Sequence, residues 1–364
     1  MNGYNRKLVL PTGDEFCGYG FGDGAERVTE VVFNTSMAGY QEIISDLSYT
    51  GQTVVMTYPI IGNYGLADGD YETRRPAIDG LIVREYTREP SNFRGREPLE
   101  AAMLRHGIAG ICGVDTRRLT RAIRDHGSSK ALITDIGTPV EAALERLEAA
   151  ELPHDQVRRV SCREPWTAGG ENAPLRAVLL DCGVKLSIVA SLADCGCRVT
   201  VMPYDTPAGE IAALAPDGLL VSNGPGDPTD VPEAAETIRA LMGRMPIFGI
   251  CLGNQLLALA SGARTYKLKF GHRGGNHPVM ELATGKIAMT AQNHSYAVDE
   301  DTLAGTGLAV THRNLLDNTV EGVANASERA FGVQFHPESA PGPHDGAGIF
   351  RRFAAMMKEG QGRA

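Results

Sequence analysis

The chain has 364 residues, which at about 150 residues per domain gives two to three units and excludes a lone small module. A hydrophobic share of 43% with 22% charged residues excludes a disordered chain, and 35 basic against 44 acidic residues leave a net charge of −9, without the basic excess that a nucleic-acid reader needs. No apolar run approaches about eighteen residues, the start lacks a secretory pattern, and seven cysteines, an odd number, do not suggest a disulfide framework, so the expectation is a cytoplasmic protein with no membrane or nucleic-acid partner.

In the first 150 residues, β-branched and aromatic runs at 6–10, 28–34, 53–57 and 80–85 lie between Gly, Pro and Asp breaks and predict strands. Apolar spacing predicts helices over 98–106, 115–126, where Asp115 is a plausible N-cap, and 139–150. The expectation is an α+β domain over 1–150. Residues 151–174 lose any period at Pro153, Pro165, Gly169, Gly170 and Pro174 and read as a linker. From 175 to 364 the rhythm becomes strand then helix: 177–180 with 185–195, 199–202 with 208–214, 218–221 with 232–242, and 246–250 with 252–260. Repeated βα units predict a doubly wound, mainly parallel α/β sheet with helices on both faces.

Three segments of the second domain carry chemistry. Gly249-Ile250-Cys251-Leu252-Gly253 follows an apolar strand and opens a helix, the strand–turn–helix geometry that exposes a nucleophile over a helix N-terminus, whose dipole favours negative charge. A buried structural cysteine between two packing glycines remains an alternative for this pentapeptide alone. Phe335-His336-Pro337-Glu338 follows the strand 331–334, so a base and an orienting carboxylate leave the sheet at its carboxyl end, although a surface turn with a titrating pair would read the same. Ser222-Asn223-Gly224-Pro225-Gly226-Asp227-Pro228 ends the strand 218–221 with glycines that uncover backbone N–H groups, suited to an oxyanion hole or to an ordinary turn.

Three other features point nowhere specific. Cys195-Gly196-Cys197 is too tight and isolated for zinc, and no metal is assigned. Gly18-Tyr19-Gly20-Phe21-Gly22 reads as a hairpin turn. Arg117, Arg118, Arg121 and Arg124 mark either a solvated helix face or a docking face.

In this combination and order, the 222–228 loop, the 249–253 elbow and His336-Pro337-Glu338 resemble the class I, or triad-type, glutamine amidotransferases. Within that family the sequence is similar, from residue 6 to the end, to the small, glutamine-hydrolysing subunits of carbamoyl-phosphate synthetases. The similarity rests on Asn34-Thr35-Ser36-Met37 with Gly39-Tyr40-Gln41-Glu42, Thr57-Tyr58-Pro59 with Ile61-Gly62-Asn63, Ser91-Asn92-Phe93-Arg94, Asp115-Thr116-Arg117, Lys269-Phe270-Gly271-His272 with Gly274-Gly275-Asn276-His277-Pro278, and Gln292-Asn293-His294.

The resemblance implies that Cys251 attacks the glutamine carboxamide, His336 moves the proton and Glu338 orients the imidazole. It further implies that the amides of Gly224 and Leu252 stabilise the oxyanion, and that Ser48, Gly226, Gln255, Asn293, Ser295 and Tyr296 contact glutamine. It implies no cofactor in this chain, since no further block of the size an ATP site needs is present. ATP and Mg are then expected on a large partner subunit, which docks on the amino-terminal domain and receives the ammonia. Four positions depart from the family pattern: Asn254 where histidine is frequent, Ser295 where glycine is usual, Leu47 where proline is common and Ser187 where asparagine usually follows the 181–185 turn. The alternatives are a glutaminase serving another acceptor, a γ-glutamyl peptidase on the same elbow, or a silent scaffold.

Overall fold

A computed structural model describes residues 3–73 and 75–361, and the chain divides into two compact units, Met1–Pro153 and His154–Ala364. The extreme ends of the two expected domains, 1–2 and 362–364, lie outside the described residues.

In the first unit β1 (Arg6–Val9) and β2 (Glu15–Gly22) form an antiparallel pair, β3 (Arg27–Asn34) leads to α1 (Tyr40–Ser45), and a single turn of tighter helix at Leu47–Tyr49 precedes β4 (Gln52–Met56). The short β5 (Ile60–Ile61) pairs with β7 (Glu85–Tyr86), on either side of β6 (Gly80–Ile82) in sequence. Helix α2 (Leu99–His106), β8 (Ala109–Cys112), α3 (Thr116–His126), β9 (Ser129–Asp135) and α4 (Val140–Ala149) complete the unit. Seven strands close into a barrel in the order β1-β2-β8-β6-β4-β3-β9, which removes free sheet edges. Val32, Ile44, Val54, Leu81 and Met103 belong to one of its buried apolar clusters.

Residues 18–22 are not a hairpin turn. They form the second half of β2, and the glycines are there because neighbours press against the strand: a Cβ on Gly18 would stand 2.3 Å from the Cys112 carbonyl oxygen, and one on Gly20 would stand 2.6 Å from Arg6 Cγ. Asp115 does cap α3, its side chain accepting from the Arg118 amide at 2.9 Å. Of the basic cluster, Arg118 pairs with Asp14, while Arg117, Arg121 and Arg124 line a cavity of about 750 Å³ together with Arg84.

The second unit starts with α5 (Gln156–Val160) and β10 (Trp166–Ala168), so the stretch read as a linker carries structure of its own; β10 is an antiparallel edge strand, too short and proline-flanked to show a period. The βα units follow: β11 (Leu175–Asp181), α6 (Leu186–Asp194), β12 (Cys197–Pro203), α7 (Ala208–Ala213), β13 (Gly218–Val221), α8 (Pro232–Leu241), β14 (Ile247–Ile250) and α9 (Leu252–Ala260). Two long strands, β15 (Thr265–Glu281) and β16 (Ile287–Val298), come next, then β17 (Ala309–Asn314), β18 (Val320–Asn325), β19 (Ala330–Val333) and α10 (Gly348–Gln361). Strands β12, β11, β13, β14 and β19 are mutually parallel and form the centre of a ten-stranded sheet. The antiparallel strands β18, β17, β15 and β16 extend it on one side.

Two apolar layers cover the parallel centre. Ile211 of α7, Ile238 of α8 and Leu256 of α9 belong to one, and Ile188 of α6 with Phe353 of α10 to the other. At about 25 cal/mol per Å², burying each such side chain contributes roughly 1.5–3 kcal/mol, which is why both faces of these strands are continuously apolar.

Candidate active site

The parallel order β13-β14-β19 brings the three chemical segments to one place. The 222–228 loop leaves β13, Cys251 follows the last residue of the central strand β14, and His336 lies three residues beyond the end of β19. Register pairs Ile250 with Val333, so nucleophile and base leave adjacent strands at the same carboxyl edge.

Cys251 sits at φ 55°, ψ −103°, a positive-φ conformation that costs a side-chain-bearing residue about 1–3 kcal/mol and persists only where the surroundings enforce it. Here they do. Its amide donates to the Val333 carbonyl at 2.8 Å, and the flanking glycines admit nothing larger: a Cβ on Gly249 would meet the Gly253 carbonyl oxygen at 2.3 Å, and one on Gly253 the Val221 carbonyl oxygen at 2.2 Å. The elbow therefore nests against β13 and starts α9, with Cys251 as the N-cap residue and Leu252 as the first helical residue. Cys251 is 2% exposed, and its thiol donates to the Asn293 carbonyl at 3.6 Å. Burial pushes the thiols of Cys162 and Cys182 up, Cys162 to about 12, so neither is a competing nucleophile.

His336 is held from behind. Its backbone amide donates to Ala291 O at 2.9 Å, and its Nδ1 lies 2.6 Å from Glu338 Oε1. That oxygen also accepts from Lys185 Nζ at 2.8 Å, and Lys185 donates as well to the Ala340 carbonyl. Burial disfavours the imidazolium, but the facing Glu338 carboxylate and the Cys251 thiol outweigh it and raise the proton affinity of His336 above the ordinary histidine range. Burial likewise opposes the Glu338 carboxylate, and the Lys185 ammonium and His336 overcome it, holding its carboxyl below the usual range. His336 Nε2 makes no conventional hydrogen bond among the described residues, which leaves that edge of the ring to the thiol and to substrate.

The remaining expected residues divide into groups. Gly224 packs on the start of α9: a Cβ there would stand 2.2 Å from the Cys182 carbonyl oxygen and 2.8 Å from Leu252 Cδ2. The loop is braced by Ser222, whose Oγ accepts from the Cys182 amide at 2.9 Å and donates to Asn223 O at 2.7 Å. Gln255 donates through Nε2 to Tyr296 O at 2.8 Å and to Gln334 Oε1 at 3.1 Å, tying α9 to the strand that carries Asn293, Ser295 and Tyr296. Gly226 is exposed, at φ 86°, on a small cavity beside Gln156. Ser48 belongs to the first unit, in the turn Leu47–Tyr49, where its amide donates to Asp46 Oδ1 at 2.9 Å.

With this geometry in hand, comparison with known proteins decides the family. Residues 178–356 match the family described as glutamine amidotransferase class-I, and residues 8–133 match the carbamoyl-phosphate synthase small chain, CPSase domain. The carbamoyl phosphate synthase small chain of Staphylococcus epidermidis is 50% identical over 97% of this chain and 96% of its own. That of Bacillus caldolyticus is 51% identical over 97% of each, and the pyrimidine-specific small chain of Halalkalibacterium halodurans is 50% identical over 99% of each. The chain belongs to the carbamoyl-phosphate synthase small chain family. It is a glutamine amidotransferase, the glutaminase subunit of carbamoyl phosphate synthase. Among the described residues, no helix is long and apolar enough to cross a membrane.

Two departures from the family pattern acquire a structural reading. The Ser295 hydroxyl accepts from Arg273, whose guanidinium also donates to Phe270 O at 2.8 Å, so the extra side chain is engaged by β15. Asn254 is fully buried; its Nδ2 donates weakly to Gln334 Oε1 at 3.4 Å, and it lies over Gly332, where a Cβ would come within 2.6 Å of Asn254 Oδ1. Nothing in the structure explains Leu47 or Ser187.

Sequence reading missed Lys185 as a partner of Glu338, since the two are 153 positions apart. Their side chains are 3% and 0% exposed, and removing one member of such a pair strands the other charge. Lys185→Met is therefore expected to lower unfolding stability by ~3–5 kcal/mol, measured by denaturant titration. A loss below about 1 kcal/mol, the range of a surface pair, would refute the buried pairing.

Proposed function

We propose that this chain hydrolyses L-glutamine through Cys251, His336 and Glu338 by way of a glutamyl thioester and delivers the ammonia to a large synthetase subunit, which makes carbamoyl phosphate from bicarbonate and ATP. The observation that carries the reading is the strained elbow at Cys251 beside an imidazole already held by a buried carboxylate.

His336 accepts the thiol proton as sulfur bonds to the side-chain carbonyl carbon of glutamine. The carbonyl oxygen becomes an oxyanion, facing the amides of Gly224 and Leu252, each donor worth ~3 kcal/mol in such sites. Collapse breaks the C–N bond, and His336 returns its proton to the leaving ammonia. Water then adds to the thioester, His336 accepting its proton, and the C–S bond breaks to free glutamate and regenerate the thiol. Glu338 keeps Nδ1 protonated, so that Nε2 faces the thiol in every step.

No step needs a cofactor in this chain; ATP and Mg belong on the partner. The reading places the enzyme in the cytoplasm, where both nitrogen donor and acceptor chemistry reside, with the first unit as the docking domain. Acid quench of the complex turning over labelled glutamine tests it: label should remain covalently on this chain in a base-labile bond, and its absence under steady turnover would exclude the thioester.

The assignment of Ser48 to the substrate rests on the family resemblance. A short hydroxyl at a turn can accept from or donate to the amino-acid end of glutamine. Ser48→Ala should raise KM for glutamine about fivefold with kcat less affected, since one ground-state hydrogen bond is worth on the order of 1 kcal/mol. An unchanged KM in a folded variant would return Ser48 to turn capping.

A further inference from the structure

Starting from His294, the residue after Asn293 on the same strand, the sheet assembles a second constellation that glutamine hydrolysis does not use. His272 on β15 and His294 on β16 are direct cross-strand partners and so share a sheet face, and Glu321 on β18 joins them. One ligating atom from each of the three lies within 4.8 Å of the others. All three are buried, at 7%, 5% and 0% exposure.

We propose that His272, His294 and Glu321 form a binding site for a divalent transition ion of the zinc class, which clasps β15, β16 and β18 together.

The argument rests on which atoms face inward and what holds the other side of each ring. His272 Nε2 is 2.8 Å from Asp317 Oδ2, so it carries a proton toward that carboxylate and turns Nδ1 into the cluster. His294 Nδ1 is 2.7 Å from the Tyr296 carbonyl oxygen, to which it must donate, leaving Nε2 as an unprotonated acceptor. Among the described residues, His272 Nδ1 and His294 Nε2 are both fully buried and make no conventional hydrogen bond, His272 Nδ1 facing Glu321 Oε1 at 3.5 Å. A carboxylate behind one imidazole and a backbone carbonyl behind the other is the outer arrangement that orients histidines toward a metal and fixes their tautomers.

Glu321 is prepared in the same way. Its Oε1 accepts from Asn314 Nδ2 at 3.0 Å and its Oε2 from Gln292 Nε2 at 2.9 Å, which positions the carboxylate yet leaves lone pairs on both oxygens. Ligand atoms around tetrahedral zinc stand about 3.4 Å apart, given bonds of about 2.0–2.2 Å, and His272 Nδ1 is already 3.5 Å from Glu321 Oε1. With one ligating atom of His294 within 4.8 Å of the other two, an approach of at most about 1.4 Å completes the spacing. Two histidines and one carboxylate are a zinc ligand set, with a fourth position for water or for His277, whose ring centroid lies 5.2 Å from that of His272 and whose Nδ1 is also buried with no hydrogen-bond partner among the described residues. A divalent ion placed there would replace the His272 proton as the positive charge facing the buried Glu321 carboxylate and satisfy both orphaned ring nitrogens at once.

The full-length chain, stripped with a chelator, exposed to Zn²⁺ and desalted, should retain about one zinc per chain by elemental analysis and unfold at higher temperature than the stripped form. The Cys251→Ser chain should retain the ion equally, since no thiol is a ligand, whereas His272→Ala should lose it. Asp317→Asn, which leaves all three ligands in place, should weaken binding about 10- to 100-fold. Should His272→Ala fail to fold, Co²⁺ loaded on the wild-type chain decides: visible bands without thiolate charge transfer support the site, and thiolate bands overturn it. Zinc retained at well under one per chain, or retained unchanged in Asp317→Asn, would also overturn it and leave a proton-bridged His272–Glu321 pair.

Discussion

Cys251→Ser is expected to lower glutamine-dependent carbamoyl phosphate synthesis by more than about 10³-fold in the assembled enzyme while leaving synthesis from added ammonia largely intact. Only the release of ammonia needs the thiol. Sulfur is held by a backbone conformation that its neighbours impose, with Gly249 and Gly253 in close backbone contact on either side, so a serine can occupy the same elbow without disturbing the sheet. It does not replace the chemistry, because a hydroxyl is a weaker nucleophile than a thiol and its shorter C–O bond draws the attacking atom back from an imidazole and an oxyanion site spaced for sulfur. Reconstitution with the large subunit and assay with both nitrogen donors separates the outcomes. Retained use of glutamine would remove Cys251 from the reaction, and loss with both donors would make the elbow structural.

The elbow was legible in the sequence because every residue in it has a local reason: an apolar strand, two glycines where carbonyl oxygens press within 2.3 Å of a would-be Cβ, and a helical run after them. The four βα units were legible on the same grounds, since strands buried on both faces and helices with one apolar stripe write their periods into short windows. The antiparallel extension was not. In β15 the stretch Lys267 to His277 is broken by two register shifts and mixes Lys, Gly and His on a ribbon that alternates irregularly between exposed and buried, so no period of two survives. Strand β2 was hidden for the opposite reason, its glycines marking crowding rather than turning. Long-range partners stayed invisible as well: Lys185, just after β11, reaches Glu338, just after β19, and His272 meets His294 and Glu321 only once three strands have come together.

His336→Asn should reduce glutaminase turnover on the order of 10- to 100-fold more than Glu338→Gln, because the histidine moves protons in each step while the carboxylate only fixes its tautomer and aim. The geometry sharpens that expectation. Glu338 Oε1 accepts from both His336 Nδ1, at 2.6 Å, and Lys185 Nζ, at 2.8 Å, so the amide introduced by Glu338→Gln could still accept one of these bonds through its own oxygen. His336 would then keep its orientation in part and lose mainly the charge that favours its imidazolium. The asparagine variant has no basic nitrogen at all. The carboxylate variant carries a second signature, since Lys185 becomes a buried ammonium without its counter-ion; it should unfold at lower denaturant concentration, and the acidic limb of its pH–rate profile should move to lower pH as the imidazole gives up its proton more readily. Acid quench adds the discriminating detail: Glu338→Gln should still accumulate some thioester, whereas His336→Asn should accumulate none if the histidine is needed to take the thiol proton. Equal losses in the two variants, with no thioester in either, would mean that the carboxylate takes part in proton transfer itself, and the division of roles between His336 and Glu338 would have to be redrawn.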